Sequence, residues 1–321
     1  MSPAAGGASP PDAAAPPPPL RARDRVLQGA PGRPLLMGIV NVGPDSFSDT
    51  VRRETVTRQV AHGLALVAAG ADLVDVGGES GVTYTDVTPE QVEIARVVPV
   101  VEQLTAAGVT VSVDTWKPAV AAAALAAGAR LINDVSGLRD ERLATLCAQT
   151  GAGLCVMHTR AAPKHEHFAD YADGVRVDVV TFLRERAARA VALGVGEDQL
   201  LLDPGPDFAK TPAQTVAVLR ALTDVRALGR PVLLAVSNKY FLGAITGRGP
   251  AQRLAGTLAA VAWAADAGAA MLRVHDVTAA ADLLAVKAVL DGRAEVGEVD
   301  PTDDTLKWIR AVGPPVDPLG S

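Results

Sequence analysis

The 321-residue sequence predicts a single-domain α/β fold, a (β/α)8 TIM barrel, and three observations predict it. Eight short apolar runs alternate with Ala-rich stretches that space apolar residues at three and four, as amphipathic helices do. The runs are continuous rather than alternating, as strands covered on both faces should be. A Gly-Ala junction recurs ahead of the strands in "AAGADLVDV", "AAGARLIND", "QTGAGLCVM" and "DAGAAMLRV", the expected helix-to-strand turn. Length alone suggests about two domains, but barrels of ~250 residues fold as one. No G-x-G-x-x-G follows the first run, which argues against an open dinucleotide-binding sheet.

Taken in order, residues 1–30 open with "MSPAAGGASPPDAAAPPPPL", Pro/Ala low complexity without a basic n-region and apolar h-region. This segment is expected to be a disordered leader and not a secretory signal. The barrel is placed over residues 31–295. Its strands are expected at 35–42, 73–78, 109–114 and 131–134, then at 153–158, 200–205, 231–237 and 271–276. Helical spacing is clearest at 57–69, 117–127, 174–193 and 250–267, and Asp276 reads as the N-cap of a last helix near 278–290. Residues 296–321 are a polar, Pro-containing tail with room for one short helix at "DDTLKWIRA".

Composition sets limits on partners. The chain is 49% hydrophobic but only 3% aromatic, so Ala, Val and Leu must fill the core. Thirty Lys and Arg stand against 36 Asp and Glu, a net charge of −6, which argues against a nucleic-acid footprint. It leaves room for a local basic pocket. No apolar run approaches the ~18 residues of a membrane span. Cys147 and Cys155 lack metal-ligand spacing and read as buried thiols, so a cytoplasmic location is expected.

Each apolar run ends in a polar residue: Asn41, Asp75, Asp114, Asn133, His158, Asp203, Ser237 with Lys239, and Arg273 with His275. In a barrel these strand ends converge on the active-site face. A single Asp at a strand end is usually a helix cap, but caps do not require Lys, Arg and His on one rim. Asp114, Asn133 and Asp203 suit the N–H edge of a flat heterocycle. Asn41, Arg273 and His275 suit a phosphate or diphosphate, with Asn41 able to ligate a divalent ion. The plainer alternative for Arg273 is an internal ion pair with a rim Asp. His165 and His167, in "PKHEHFAD", have zinc-like H-x-H spacing, although two solvated loop histidines explain it better. Trp116 is expected to pack at the start of the third helix, Lys210 to stay outside the site, and His158 to edge it or to yield that place to Met157.

Eight segments resemble dihydropteroate synthase, in that family's order over roughly residues 35–290. They are "MGIVNVGPDSFSD", "DLVDVGGES", "SVDTWK", "INDVSG", "VMHTR", "LLDPG" with Phe208 and Lys210, "SNK" continuing to "GAITGR", and "RVHDV". The resemblance implies condensation of 6-hydroxymethyl-7,8-dihydropterin diphosphate with p-aminobenzoate, releasing diphosphate on the way to folate. It implies substrate contacts from Asp114, Asn133, Asp203, Phe208, Ser237 and Lys239. Asn41 would hold Mg²⁺, Arg273 and His275 the diphosphate, and Asp45 the developing cation or the closed loop. Catalytic roles would thus fall to Asp45, Lys239, Arg273 and His275. A homodimer built through barrel helices is also implied.

The departures from the family pattern cluster. Gly81-Val82-Thr83 stands where Thr-Arg-Pro is usual, Asn238 where Arg is usual in Ser-Arg-Lys, and Gly43 where Thr is usual. Asp207 and Ala209 replace glycines. The resemblance implies that the missing Arg residues belong to the aminobenzoate half of the site and that the pterin and diphosphate half is whole. This clustering resembles the divergent second paralogue that some actinobacteria carry. Three readings stay open: a synthase with a remodelled aminobenzoate pocket, a pterin-diphosphate enzyme using another nucleophile, and a non-catalytic pterin-binding barrel.

Overall fold

A computed structural model describes residues 16–43, 49–79, 85–165, 167–171 and 174–297, the side chains of 49–54 excepted. Two short strands, β1 (Leu20–Ala22) and β2 (Arg25–Leu27), form an antiparallel hairpin. The barrel strands follow: β3 (Leu35–Asn41), β4 (Leu73–Gly77), β5 (Val111–Asp114), β6 (Leu131–Asp134), β7 (Gly153–Met157), β8 (Leu200–Asp203), β9 (Leu233–Leu234) and β10 (Met271–Val274). All neighbours are parallel, in the order β8-β7-β6-β5-β4-β3-β10-β9. One bridge between Leu202 and Val232 and a bond from the Leu202 N–H to the Pro231 carbonyl (3.0 Å) close the ring.

Ten helices among the described residues surround it: α1 (Asp49–Ala68), α2 (Glu90–Ala106), α3 (Pro118–Ala126), α4 (Arg142–Thr150), α5 (Val175–Ala192), α6 (Pro212–Arg220), α7 (Leu222–Arg226), α8 (Tyr240–Thr246), α9 (Leu254–Asp266) and α10 (Val277–Leu290). None is long and apolar enough to cross a membrane. The Gly-Ala junctions turn as expected, with φ of +106° at Gly70 and Gly128, +71° at Gly151 and +80° at Gly268, a region open to glycine. Asp276 caps α10, its Oδ1 accepting from the Ala279 N–H at 2.9 Å.

Period-two alternation sorts the strands into an inner and an outer layer. Leu35, Met37, Leu73, Leu131, Cys155, Leu201, Leu233 and Met271 fill the barrel interior. Their neighbours, such as Val74, Val76, Val113, Ile132, Val156 and Leu202, face the helices. Continuing the inner register toward the strand C-termini reaches Asn41, Asp75, Asp114, Asn133, Asp203, Ser237, Arg273 and His275.

The hairpin corrects one expectation: the disordered leader placed at 1–30 does not run that far. Leu20 is buried in the barrel's inner cluster, and Arg21 pairs with Asp198 at 2.7 Å. The Arg23 guanidinium donates to the Leu125 and Ala129 carbonyls, and Arg130 pairs with Asp24. Leu20 and Ala22 alternate with Arg21, so one face plugs the barrel's N-terminal end while the other reaches water. Residues 1–15 and the tail from 298 lie outside the described residues.

Candidate active site

At the C-terminal ends of the strands opens a cavity of about 770 Å³. Of the residues singled out in the sequence, Asn41, Asp114, Phe208, Lys239, Arg273 and His275 line it. Asn133, Asp203 and Ser237 are buried just beneath. Asp45 lies outside the described residues, as do Ser80, Gly81, Val82 and Thr83.

Arg273 is the hub of the floor. Its Nε donates to Asp75 Oδ2 at 2.7 Å and its Nη2 to Asp114 Oδ2 at 3.0 Å. The same Asp75 oxygen accepts from Asn133 Nδ2 at 3.0 Å. The internal ion pair weighed for Arg273 is therefore present in the free protein. Burial pushes the Asp114 carboxyl up to about 7; Arg273 opposes that rise, and Asp75, Glu93 and Asp134 add to it. Two carboxylates sharing one guanidinium leave a surplus negative charge, and protonation at Asp114 relieves it.

That carries a binding prediction. A ligand whose N–H groups donate to Asp114 prefers the ionised carboxylate, so protons compete with it. Affinity for such a ligand is expected to fall, by at most about tenfold per pH unit, as pH drops below 7. Calorimetric titrations between pH 5.5 and 8.5 check this, and Asp114→Asn should flatten the profile.

Ser237 Oγ lies 2.9 Å from His275 Nδ1 and accepts from the His275 backbone N–H at 3.3 Å. Burial holds the imidazole pKa down, and Arg273 and Lys239 add to this, so a neutral ring is favoured. A neutral ring with Nδ1 engaged by the hydroxyl presents Nε2 to the cavity as a donor. Lys239 Nζ sits 4.4 Å from the Phe208 ring centroid. Burial lowers its pKa, while Asp207 and Asp203 pull it back up. Burial raises the Asp203 carboxyl, against the Gly205 N–H that donates to it at 2.7 Å and the lysines nearby.

The loop carrying Phe208 is strained. Asp207 and Ala209 both have positive φ, +67° and +54°, where the related motif has glycines. Asp207 is compensated: Thr215 donates to it at 3.1 Å and the Phe241 N–H at 3.3 Å. Ala209 has no side chain to compensate, and only its carbonyl is held, by the Tyr171 hydroxyl at 2.8 Å. Ala209→Gly is expected to stabilise the fold by about 1 kcal/mol, read as a higher urea midpoint with unchanged m. Lys210, expected outside the site, instead lines the cavity from within the wall, 1% exposed. Its ammonium donates to the carbonyls of Gly205, Phe208 and His158 at 2.9, 3.0 and 3.3 Å, which fixes the loop. Burial brings its pKa down to about 7.

The expectation that His158 edges the site is corrected. His158 faces away from the cavity: Nε2 lies 2.8 Å from Asp178 Oδ2 on α5, and the ring packs edge-on against Phe182 at 4.9 Å. The alternation contained the answer, since Cys155 and Met157 point inward and His158 must point outward. Burial lowers its pKa to about 3, so it stays neutral. Trp116 lines the cavity, with the Lys117 ammonium 5.0 Å from its ring centroid. His165 and His167 are exposed residues at the cavity edge, and no group of three metal-ligating side chains occurs among the described residues.

A buried ionic cluster has no signature in the sequence. The Lys117 ammonium donates to Glu79 at 2.8 Å, Glu93 at 2.6 Å and the Thr88 carbonyl at 2.6 Å. Thr115 donates to Glu93 at 2.9 Å, and Lys164 Nζ lies 3.6 Å from Glu79. Glu79 stands two residues before Gly81, where the segment lacking Thr-Arg-Pro begins. Nothing in one-dimensional spacing pairs Lys117 with Glu79, 38 positions away.

Asn41 tests the divalent ion. Its side chain is exposed at the end of β3 and lines the cavity, and no group of three metal-ligating side chains stands around it among the described residues. Mg²⁺ keeps several waters and is usually held by one or two carboxylates plus substrate phosphates; the Asn41 amide is a hard oxygen donor that fits as one such ligand when substrate phosphates supply the charge.

Residues 37–275 match the family of pterin binding enzymes. A dihydropteroate synthase of Mycobacterium leprae is 44% identical over 260 residues, spanning 78% of this chain and 91% of that protein. A protein named inactive dihydropteroate synthase 2, also from M. leprae, is 42% identical over 272 residues, spanning 82% and 92%. Burkholderia cenocepacia dihydropteroate synthase, solved with 7,8-dihydropteroate, superposes with a TM-score of 0.76 at 39% identity. That match covers 86% of this chain and 98% of the solved one.

Proposed function

This chain belongs to the pterin binding enzymes of the dihydropteroate synthase family, and from that premise we propose its reaction. It joins 6-hydroxymethyl-7,8-dihydropterin diphosphate to p-aminobenzoate and releases diphosphate. The observation that carries this reading is the convergence of Asp114, Asn133, Asp203, Lys239, Arg273 and His275 at one barrel mouth.

Asp114, Asn133 and Asp203 take the N–H and carbonyl edge of the ring, and Lys239 donates beside Phe208. Arg273 and neutral His275 donate to the diphosphate oxygens as the bond from the methylene carbon to oxygen breaks. These preset donors stabilise the charge that develops on the leaving group. Mg²⁺ held through Asn41 would supply further neutralisation of that charge. The aryl amine then forms the new carbon–nitrogen bond and loses a proton, a step that depends on orientation more than on a strong base. Asp45 is assigned to steadying the cation or closing the site. The protein works in the cytoplasm, in keeping with its buried free thiols. It acts as a homodimer through α9 and α10, which leave Trp263, Val286 and Leu290 exposed.

One observation favours a second reading. Asn238 holds φ +57°, and its Oδ1 accepts from Thr257 at 3.4 Å, so this position presents no guanidinium to a carboxylate. On that reading the barrel binds pterin diphosphate without using p-aminobenzoate. Purified protein, Mg²⁺, pterin diphosphate and p-aminobenzoate decide between them. Dihydropteroate and diphosphate in equal amounts support the synthase; tight binding without product supports the second reading; neither removes both.

A further inference from the structure

Asp75 lies mid-strand in β4, fully buried, and no role in the reaction has been given to it above. Its register neighbours are Ile39 on β3 and Ser112 on β5, yet its carboxylate ties strands further apart. One oxygen receives both Arg273 Nε from β10 and Asn133 Nδ2 from β6. The other oxygen bonds to no described residue, and neither does the buried Ser112 Oγ. Arg273 thus has its Nε pinned from below and its Nη2 on Asp114, while Nη1 bonds to no described residue.

We propose that Asp75 is a positioning residue that holds Arg273 and Asn133 in a single frame, so that ring and anion contacts form one unit. The inference rests on the pterin-diphosphate reading and adds to it a residue that touches no ligand. The physical reason is the shape of guanidinium. A side-on bond at Nε fixes the plane and aims the far edge of the fork, which a point charge on lysine would not reproduce. Without the Asp75 anchor, Arg273 is free to fold its fork onto Asp114. That one movement would withdraw the anion donor and occupy the ring's acceptor. Asn133 would lose its orientation at the same time.

A double-mutant cycle tests this on the full chain, with 6-hydroxymethyl-7,8-dihydropterin diphosphate as the probe and Mg²⁺ present. Asp75→Asn, nearly isosteric, is expected to weaken binding at least tenfold in the wild-type background. In an Arg273→Lys background the same change is expected to matter less than threefold. Equal losses in both backgrounds would mean general damage and overturn the proposal. Should Asp75→Asn fail to fold, Arg273→Lys alone decides: it keeps the charge but loses Nε, so affinity equal to wild type contradicts the anchor.

A second readout needs no ligand. Asp114 is faced by Arg273 from β10, Asp75 from β4, Glu93 from α2 and Asp134 from β6. Its raised pKa makes stability decline as pH climbs from the unfolded carboxylate value toward the folded one. Asp75→Asn removes one of the charges raising that pKa, so the decline should end at lower pH. An unmoved profile counts against the proposal. A moved profile in a wild-type protein that binds no pterin diphosphate would sink the functional reading while leaving the anchor standing.

Discussion

Arg273→Ala is expected to weaken pterin-diphosphate binding about 100-fold, the loss of two charge-assisted hydrogen bonds. The bare pterin alcohol should lose less, but still lose, because Arg273 also balances Asp75 and Asp114. A simple anion clamp would leave alcohol binding untouched. The same substitution strands a fully buried carboxylate. It should therefore destabilise the fold by about 3 kcal/mol, the low end for a broken buried pair because the Arg273 side chain is 19% exposed. The sign with pH follows from linkage. Without the guanidinium that opposes its rise, the folded Asp114 carboxyl binds its proton more tightly still than the unfolded one, so the variant gains stability as pH falls. Thermal unfolding at pH 5 and pH 8 reads both effects, and the deficit should be larger at pH 8.

Lys117→Met should be at least as disruptive to the fold while leaving the pterin floor in place. It removes the cation shared by Glu79 and Glu93, all three side chains being almost fully buried. About 3–5 kcal/mol is expected, measured as a lowered urea midpoint. Burial pushes the Glu79 carboxyl up, but Lys117 and the Thr88 N–H outweigh it and hold the group below the usual range. A depressed folded pKa contributes stability above the unfolded value and loses it as pH falls. The deficit of Lys117→Met should therefore be greatest near neutrality and shrink in acid. Because Glu79 adjoins Ser80, the binding loss should fall mainly on the aryl amine, with the pterin alcohol spared.

Much of this was legible in the sequence because a buried parallel strand leaves few choices. Period-two alternation and a polar residue at each strand end suffice to bring Asn41, Asp114, Asn133, Asp203, Arg273 and His275 to one rim. The same parity turns His158 away, a consequence that its position at a strand end obscured. Asp75 reads in the sequence as one more run-ending acid, but in β4 it stands mid-strand among valines, where an acid finds partners only across the barrel. The Arg273 pairing with Asp75 spans 198 positions and the Lys117 pairing with Glu79 spans 38, and no spacing rule links either. The hairpin at 20–27 was hidden by the Pro/Ala run leading into it, since three-residue strands carry little pattern. Ala209 shows the reverse case. A family glycine replaced by alanine announces a strained position, and the structure locates that strain in its φ.

On the proposed function, the inward positions of separate strands meet to hold a diphosphorylated bicyclic ring. Calorimetric titration of the wild-type chain with 6-hydroxymethyl-7,8-dihydropterin diphosphate and Mg²⁺ tests it most directly. One site per chain is expected, tighter for the diphosphate than for the alcohol. An absence of heat accompanied by no rise in melting temperature would contradict it.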